Sequence, residues 1–243
     1  MSSFILVIPA RLKSTRYPNK VIKKINDKEI FVHVWERCLK ACNKSQIFVA
    51  TPDLKIINIC KKKGINWLKT SHKCLTGTDR ILEISKKIKK DFYVNVQADE
   101  IFVSPSSITK VIKECKKTKL KFVINAFTKI KKKNDFFSPS VPKIVLDNNN
   151  FLNYISRSPI PGNKKRKFKN ALKQVCIYAF PLKHLSKIEF NKKSLNEKHE
   201  DIEIIRFIDN GIKVKMIKAQ GSKVAIDTLE DFKNAVSYLK KNT

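Results

Sequence analysis

The chain has 243 residues, 42% of them hydrophobic, which is enough to bury a sizeable core in one domain. Its formal net charge of +31 raises nucleic-acid binding as a possibility, but lysine supplies most of that charge and is scattered over the predicted helices, as on solvated helix ends rather than in one basic stripe. No run reaches the ~18 apolar residues of a membrane span, the apolar start FILVIPA precedes its cations in the wrong order for a signal peptide, and six cysteines with no CxxC pair or zinc spacing read as free thiols, so a cytoplasmic chain without a membrane partner is expected.

In chain order, FILVI at 4–8 predicts the first buried strand, and a helix follows near 30–42, where Ile30, Val34, Cys38 and Leu39 share an apolar face. QIFVA at 46–50 predicts a strand, 53–63 and 78–90 helices, FYVNV at 92–96 a strand, 105–117 a helix, and FVINAF at 122–127 another strand. This alternation points to an α/β fold, a Rossmann-like and mostly parallel sheet flanked by helices. After about residue 140 the pattern changes. VPKIVLD, NFLNYISRS and QVCIYAF read as antiparallel strands separated by DNNN and by the basic loop PGNKKRKFKN. They predict a β-rich arm at about 140–185 that covers the cleft or pairs with a second copy. A helix at 197–209, a strand at 212–217 and a helix at 228–241 return to the α/β pattern.

The first strand runs into Pro9-Ala10-Arg11-Leu12-Lys13-Ser14-Thr15-Arg16-Tyr17-Pro18-Asn19-Lys20. Four cations in ten residues after a buried strand suit a phosphate cradle at the carboxyl end of a sheet, because guanidinium grips phosphate oxygens in a fork and ammonium adds a point charge. The segment is neither a Walker loop nor a dinucleotide fingerprint, and on spacing alone an exposed basic loop fits as well. Asp99 follows FYVNV, so its carboxylate should emerge at the same sheet edge, where hard oxygen ligands suit Mg²⁺ bridging phosphates. A turn or cap aspartate would occupy the same place. The histidines at 33, 72, 184 and 199 form no catalytic constellation, and His33 and His184 read as helix residues.

The pattern A-R-x-x-S-T-R-x-P-x-K resembles the nucleotide-binding signature of the CMP-3-deoxy-manno-octulosonate synthetase family. Thr76-Gly77-Thr78-Asp79-Arg80 is similar to that family's S-G-T-E-R, and Asn95-Val96-Gln97-Ala98-Asp99-Glu100 to N-V-Q-G-D-E. Tyr154-Ile155-Ser156-Arg157 resembles Y-F-S-R, Ile177-Tyr178 falls in its G-I-Y strand, and Val224-Ala225-Ile226-Asp227-Thr228-Leu229-Glu230-Asp231 resembles V-D-T-P-E-D with its preceding strand. The blocks keep family order from residue 5 to 235. The resemblance implies a fold of the nucleotide-diphospho-sugar transferase type and a cytidylyltransferase that joins CMP from CTP to an anionic 2-keto sugar acid. It implies that Arg11, Arg16 and Lys20 hold the triphosphate, that Ala10, Ser14, Gly77, Thr78 and Arg80 line the nucleotide pocket, and that Asp99 and Asp227 coordinate Mg²⁺. Gln97, Arg157, Gln174, Tyr178 and Glu203 fall at the sugar side, and the arm implies a homodimer.

Several positions depart from the pattern. Gln174 stands where the family has His, Ile204 where it has Gln, Ala98 and Cys176 where it has Gly, and Ile101 where it has Pro. Losing a polar group in a pocket that reads hydroxyls alters selectivity, so the sugar half is where this chain diverges. Arg157 is the candidate for the sugar carboxylate, as a bidentate partner. The alternatives are a different ulosonic or nonulosonic acid as acceptor, a nucleotide-binding protein without catalysis, and a basic nucleic-acid-binding protein, which steep salt dependence would reveal.

Overall fold

The computed structural model of the chain describes residues 2–14, 16–165, 167–220 and 225–240. Thr15 and Val224 of the motifs above, and the last residue of the predicted 228–241 helix, lie outside the described residues. All six residues of β1 (Phe4–Pro9) are buried. Leu6 and Ile8 join one core cluster and Ile5 and Val7 the other, so a strand covered on both faces reads as an unbroken apolar run. A 3-10 turn at Lys20–Ile22 leads to a small hairpin, β2 (Lys24–Ile25) and β3 (Lys28–Glu29), turned by Asn26 and Asp27 at φ 49 and 56.

The first half then alternates α1 (Ile30–Leu39), β4 (Ile47–Thr51), α2 (Leu54–Lys62), β5 (Trp67–Lys69), α3 (Gly77–Lys87), β6 (Phe92–Val96), α4 (Pro105–Lys117) and β7 (Val123–Lys129). The second half contains α5 (Lys133–Phe137), β8 (Lys143–Leu146), β9 (Leu152–Ser156), β10 (Leu172–Pro181), α6 (Leu182–Leu185), α7 (Leu195–Glu200), α8 (Ile205–Asp209), β11 (Val214–Lys218) and α9 (Leu229–Lys240). The main sheet has the order β11-β7-β10-β6-β1-β4-β5, with β8 beside β10 and β9 beside β8. β6, β1, β4 and β5 run parallel, as do β7 and β11, whereas β10 is antiparallel to both β6 and β7. No helix among the described residues is long and apolar enough to cross a membrane.

Two expectations need correction. The QVCIYAF segment belongs to the sheet rather than to an arm beyond it, because β10 lies between β6 and β7 with Ile177, Ala179 and Phe180 buried. Only β8 and β9 extend sideways as a hairpin, which pairs with the start of β10. The helix expected over 197–209 is two helices. Asp201 takes φ 49 after α7, and the chain between α7 and α8 sends Ile202 and Ile204 into the core while Glu203 reaches the start of α3. A continuous helix could not place these three side chains so, since adjacent residues on a helix diverge by about 100°.

Candidate active site

A cavity of about 1100 Å³ opens at the carboxyl ends of β1 and β6 and is also lined by β10 and by Pro142 and Arg157, which flank the β8–β9 hairpin. Open α/β sheets bind ligands at this edge. The loop after β1 is pinned at its start, where Leu12 N–H donates to Asp53 Oδ2 at 2.9 Å, and at its end, where Asn19 N–H donates to Leu12 O at 3.1 Å. Arg11, Lys13, Ser14, Arg16 and Lys20 therefore all face the cavity. Arg11 Nη1 also donates to Leu75 O at 3.1 Å, tying this loop to the segment before α3.

Lys20 Nζ lies 2.6 Å from Asp99 Oδ2 and 2.9 Å from Asp227 Oδ1, and Arg16 Nη2 is 2.9 Å from the same Asp227 oxygen. The two carboxylates, 128 positions apart, thus converge on one small cation. Their loops are joined directly, since Ile226 N–H donates to Asp99 O at 3.2 Å. Asp231 Oδ2 accepts from Asp227 N–H, Thr228 N–H and the Thr228 hydroxyl, while Asp231 N–H donates to Thr228 Oγ1. This reciprocal cap on α9 holds Asp227 at the helix entrance. Burial alone would lower the Lys20 pKa, but the charges of Asp99 and Asp227 and its hydrogen bonds to them outweigh that and leave it raised. Among the described residues no group of three or more His, Cys, Asp and Glu could hold a metal. Two converging carboxylates fit Mg²⁺ that takes its remaining ligands from phosphate and water.

The wall opposite Lys20 begins at α3. Thr76 caps it, its side chain accepting from Asp79 N–H while Asp79 Oδ2 accepts from Thr76 N–H. Gly77 lies on the cavity, and a Cβ there would come 3.0 Å from Gln97 Nε2 and 3.4 Å from both Glu203 Oε2 and Pro9 Cγ, so a larger residue would push the Gln97 amide aside by a few tenths of an ångström. Arg80 also lines the cavity, with Nη1 donating to Thr70 Oγ1 at 2.6 Å and Ser71 O at 3.2 Å. Ala10 and Gln97 face the same space. Thr78 does not line it: it is 1% exposed, and its N–H and hydroxyl donate to Glu203 Oε2 at 2.7 and 2.6 Å. Glu203 lines the cavity, yet its other oxygen accepts Gly77 N–H at 3.1 Å, so its carboxylate closes the N-terminus of α3.

Arg157, Gln174 and Tyr178 also line the cavity. Among the described residues Arg157 makes no interstrand ion pair. Its guanidinium donates to the carbonyls of Glu200, Pro139 and Asp201 at 2.6, 2.8 and 3.0 Å, which leaves two of its five N–H directions for a ligand. The fully buried Lys143 fixes the same segment, donating to Ser138 O and to Arg157 O, and burial pushes its pKa down to about 8, with the Arg157 charge adding to the effect and Glu200 opposing it. Gln174 is oriented through a chain of bonds. The Asn125 amide donates to Val175 O and Ile177 O at the β10 bulge, so its oxygen receives Gln174 Nε2 at 3.0 Å. Burial raises the Tyr178 phenol well above its ordinary pKa. Of the departures from the family pattern, Ala98 and Cys176 line the cavity as expected. Ile204 and Ile101 do not: both are core residues, at 1% and 2% exposure, so neither alters a ligand contact directly.

The sequence reading missed the network behind this wall. Arg206, 1% exposed, forks onto Glu197 with Nε to Oε2 at 2.6 Å and Nη2 to Oε1 at 2.8 Å, and its Nη1 lies 2.6 Å from Asp79 Oδ1. One guanidinium thereby joins α3, α7 and α8, one turn from Glu203. A signal was present in the pattern [ST]-x-x-[DE], which occurs at Thr76–Asp79, Ser186–Glu189, Ser194–Glu197 and Thr228–Asp231, and all but Ser186–Glu189 are reciprocal helix caps. His33 and His184 bond backbone carbonyls, of Ile25 and Lys121, away from the cavity. Among the described residues nine cationic and seven acidic side chains line the cavity, a balance of +2, so most of the +31 lies elsewhere on the chain.

A cytidylyltransferase family model matches residues 5–235. The chain is 35% identical over 248 residues to a 3-deoxy-manno-octulosonate cytidylyltransferase of Elusimicrobium minutum, covering 100% of both chains. It is 34% identical over 254 residues to one from Parabacteroides distasonis, covering 98% of this chain and 99% of that one. A solved CMP:2-keto-3-deoxy-manno-octonic acid synthetase complexed with CTP superposes with TM-score 0.90 at 27% identity over 100% of both chains. A cytidylyltransferase from Leptospira borgpetersenii shares the fold, with TM-score 0.67 at 17% identity over 99% of this chain and 88% of that one.

Proposed function

Because the chain belongs to the cytidylyltransferase family, we propose that it transfers CMP from CTP to 3-deoxy-manno-octulosonate or a close relative, releasing pyrophosphate. The observation that carries this reading is the meeting of Asp99, Asp227, Lys20 and Arg16 at the mouth of one cavity. The hydroxyl on the sugar's anomeric carbon attacks the α-phosphorus while pyrophosphate leaves from the opposite side. Arg11, Arg16 and Lys20 neutralise the triphosphate, and Gly77 and Arg80 line the nucleotide side, so the chain acts by positioning and electrostatics. Mg²⁺ held by Asp99 and Asp227 would supply charge neutralisation at the phosphate oxygens. No covalent enzyme intermediate is required.

On the sugar side, the free N–H directions of Arg157 suit a carboxylate. Gln174, its amide nitrogen committed to Asn125, offers its oxygen as an acceptor for a sugar hydroxyl. A nonulosonic acid is the second reading, favoured by Gln174 standing at the family's His. We assign the β8–β9 hairpin to a homodimer contact and the chain to the cytoplasm. Pyrophosphate release is measured with CTP, Mg²⁺ and a panel of sugar acids. Turnover is expected with an octulosonate, and its absence with every octulosonate would remove the narrower assignment. Asp99→Asn is expected to abolish turnover, and retained activity contradicts the metal role.

A further inference from the structure

We propose that the Lys20 ammonium is an exchangeable counter-ion, which keeps the Asp99–Asp227 pair closed to divalent cations until a nucleotide draws it away. The inference rests on the CTP-dependent reading above and adds an order to it. The ammonium occupies the space between the two carboxylates, 2.6 and 2.9 Å from one oxygen of each, and the Arg16 guanidinium shares the Asp227 oxygen at 2.9 Å. Two negative charges thus face two positive ones.

A divalent ion at ~2.1 Å from those same oxygens would sit in contact with the ammonium, and like charges at that range repel strongly. The ion therefore binds weakly while Lys20 remains. Lysine suits this task because its charge rides on a flexible four-carbon stem, whereas a guanidinium is a rigid plane. The place for Lys20 to go is the triphosphate, which the same loop faces with Arg11, Lys13 and Arg16. Among the described residues no metal-holding group of three or more His, Cys, Asp and Glu includes the pair, so the ion also depends on the nucleotide for oxygens. Nucleotide and metal then bind with positive coupling for two reasons, one of which is the relocation of Lys20.

The probe is Mn²⁺ alone, titrated without nucleotide into the wild-type chain, Lys20→Met and Arg16→Met, with free Mn²⁺ read by electron paramagnetic resonance. Removing Lys20 is expected to tighten Mn²⁺ binding by about tenfold or more. Removing Arg16, whose side chain is 49% exposed, is expected to tighten it by about two- to fivefold, the scale of a half-exposed ion pair. Circular dichroism verifies folding. Should Lys20→Met fail to fold, Arg16→Met decides. Variants that bind Mn²⁺ no more tightly than wild type overturn the proposal, as does a failure of all three to bind it. Pyrophosphate release by the wild type is measured in parallel. Its absence counts against the proposed reaction and leaves the Mn²⁺ comparison standing.

Discussion

Glu203→Gln separates a structural from a ligand-binding role for one cavity carboxylate. The substitution keeps the side-chain volume and removes one acceptor and the charge. Oε2 holds the Thr78 N–H at 2.7 Å and the Thr78 hydroxyl at 2.6 Å, while Oε1 holds the Gly77 N–H at 3.1 Å. An amide would turn its oxygen to Thr78 and press its NH₂ against the Gly77 N–H. One charge-assisted bond is lost and two become neutral, with about 1.5–3 kcal/mol for a charged bond against about 0.5–1.5 for a neutral one. Loss of the anion at the helix N-terminus adds roughly 0.3–1 kcal/mol. The expected destabilisation is about 2–4 kcal/mol, or a fall in Tm of about 4–16 °C for a chain of this size. Thermal melts and urea midpoints, with Thr78→Val as a partial version, measure it. If Glu203 served only to await a sugar hydroxyl, stability would not change. A Tm within about 1 °C of wild type would refute the capping argument.

Arg206→Met leaves Asp79 and Glu197, both 0% exposed, without their cation, and is expected to cost about 3–5 kcal/mol by urea unfolding; a loss under about 1 kcal/mol would mean that the fork is energetically idle. Lys143 gives a pH dependence. Its folded pKa, about 8, lies below the ordinary lysine value, so the unfolded chain binds more protons between the two. Its contribution is fully present above the unfolded pKa and is lost as pH falls through about 8. Stability of the wild type relative to Lys143→Met should therefore rise with pH across that window, and parallel urea midpoints would contradict it.

The legible parts of the fold were those in which burial is total. β1, β4, β6 and the buried first five residues of β7 stand out because each is mostly apolar, and α4, opening at Pro105, fell at its predicted bounds. β10 was read as a strand but placed outside the sheet, since local pattern gives strand identity and not the neighbour across the sheet. β5 has only three residues and the β2–β3 hairpin two per strand, too short for periodicity to register. The break at Asp201 carries no glycine or proline and was invisible for that reason. In the site, the family resemblance rather than spacing is what linked Lys20, Asp99 and Asp227, which the fold brings within hydrogen-bonding distance. It could not reveal that Thr78 and Ile204 turn inward, or that Glu203 is engaged by a helix, because those outcomes depend on the path between α7 and α8.

The position of β10 has a consequence for the growing polypeptide. Until residues 172–181 leave the ribosome, the strand at 92–96 lacks its neighbour along one flank, and the strand at 123–129 lacks both, since β11 follows later still. A nascent chain in that condition presents two open templates for pairing with other chains. Both flanks are covered before the cleft is complete, because Asp227 follows β10 and β11 in the chain.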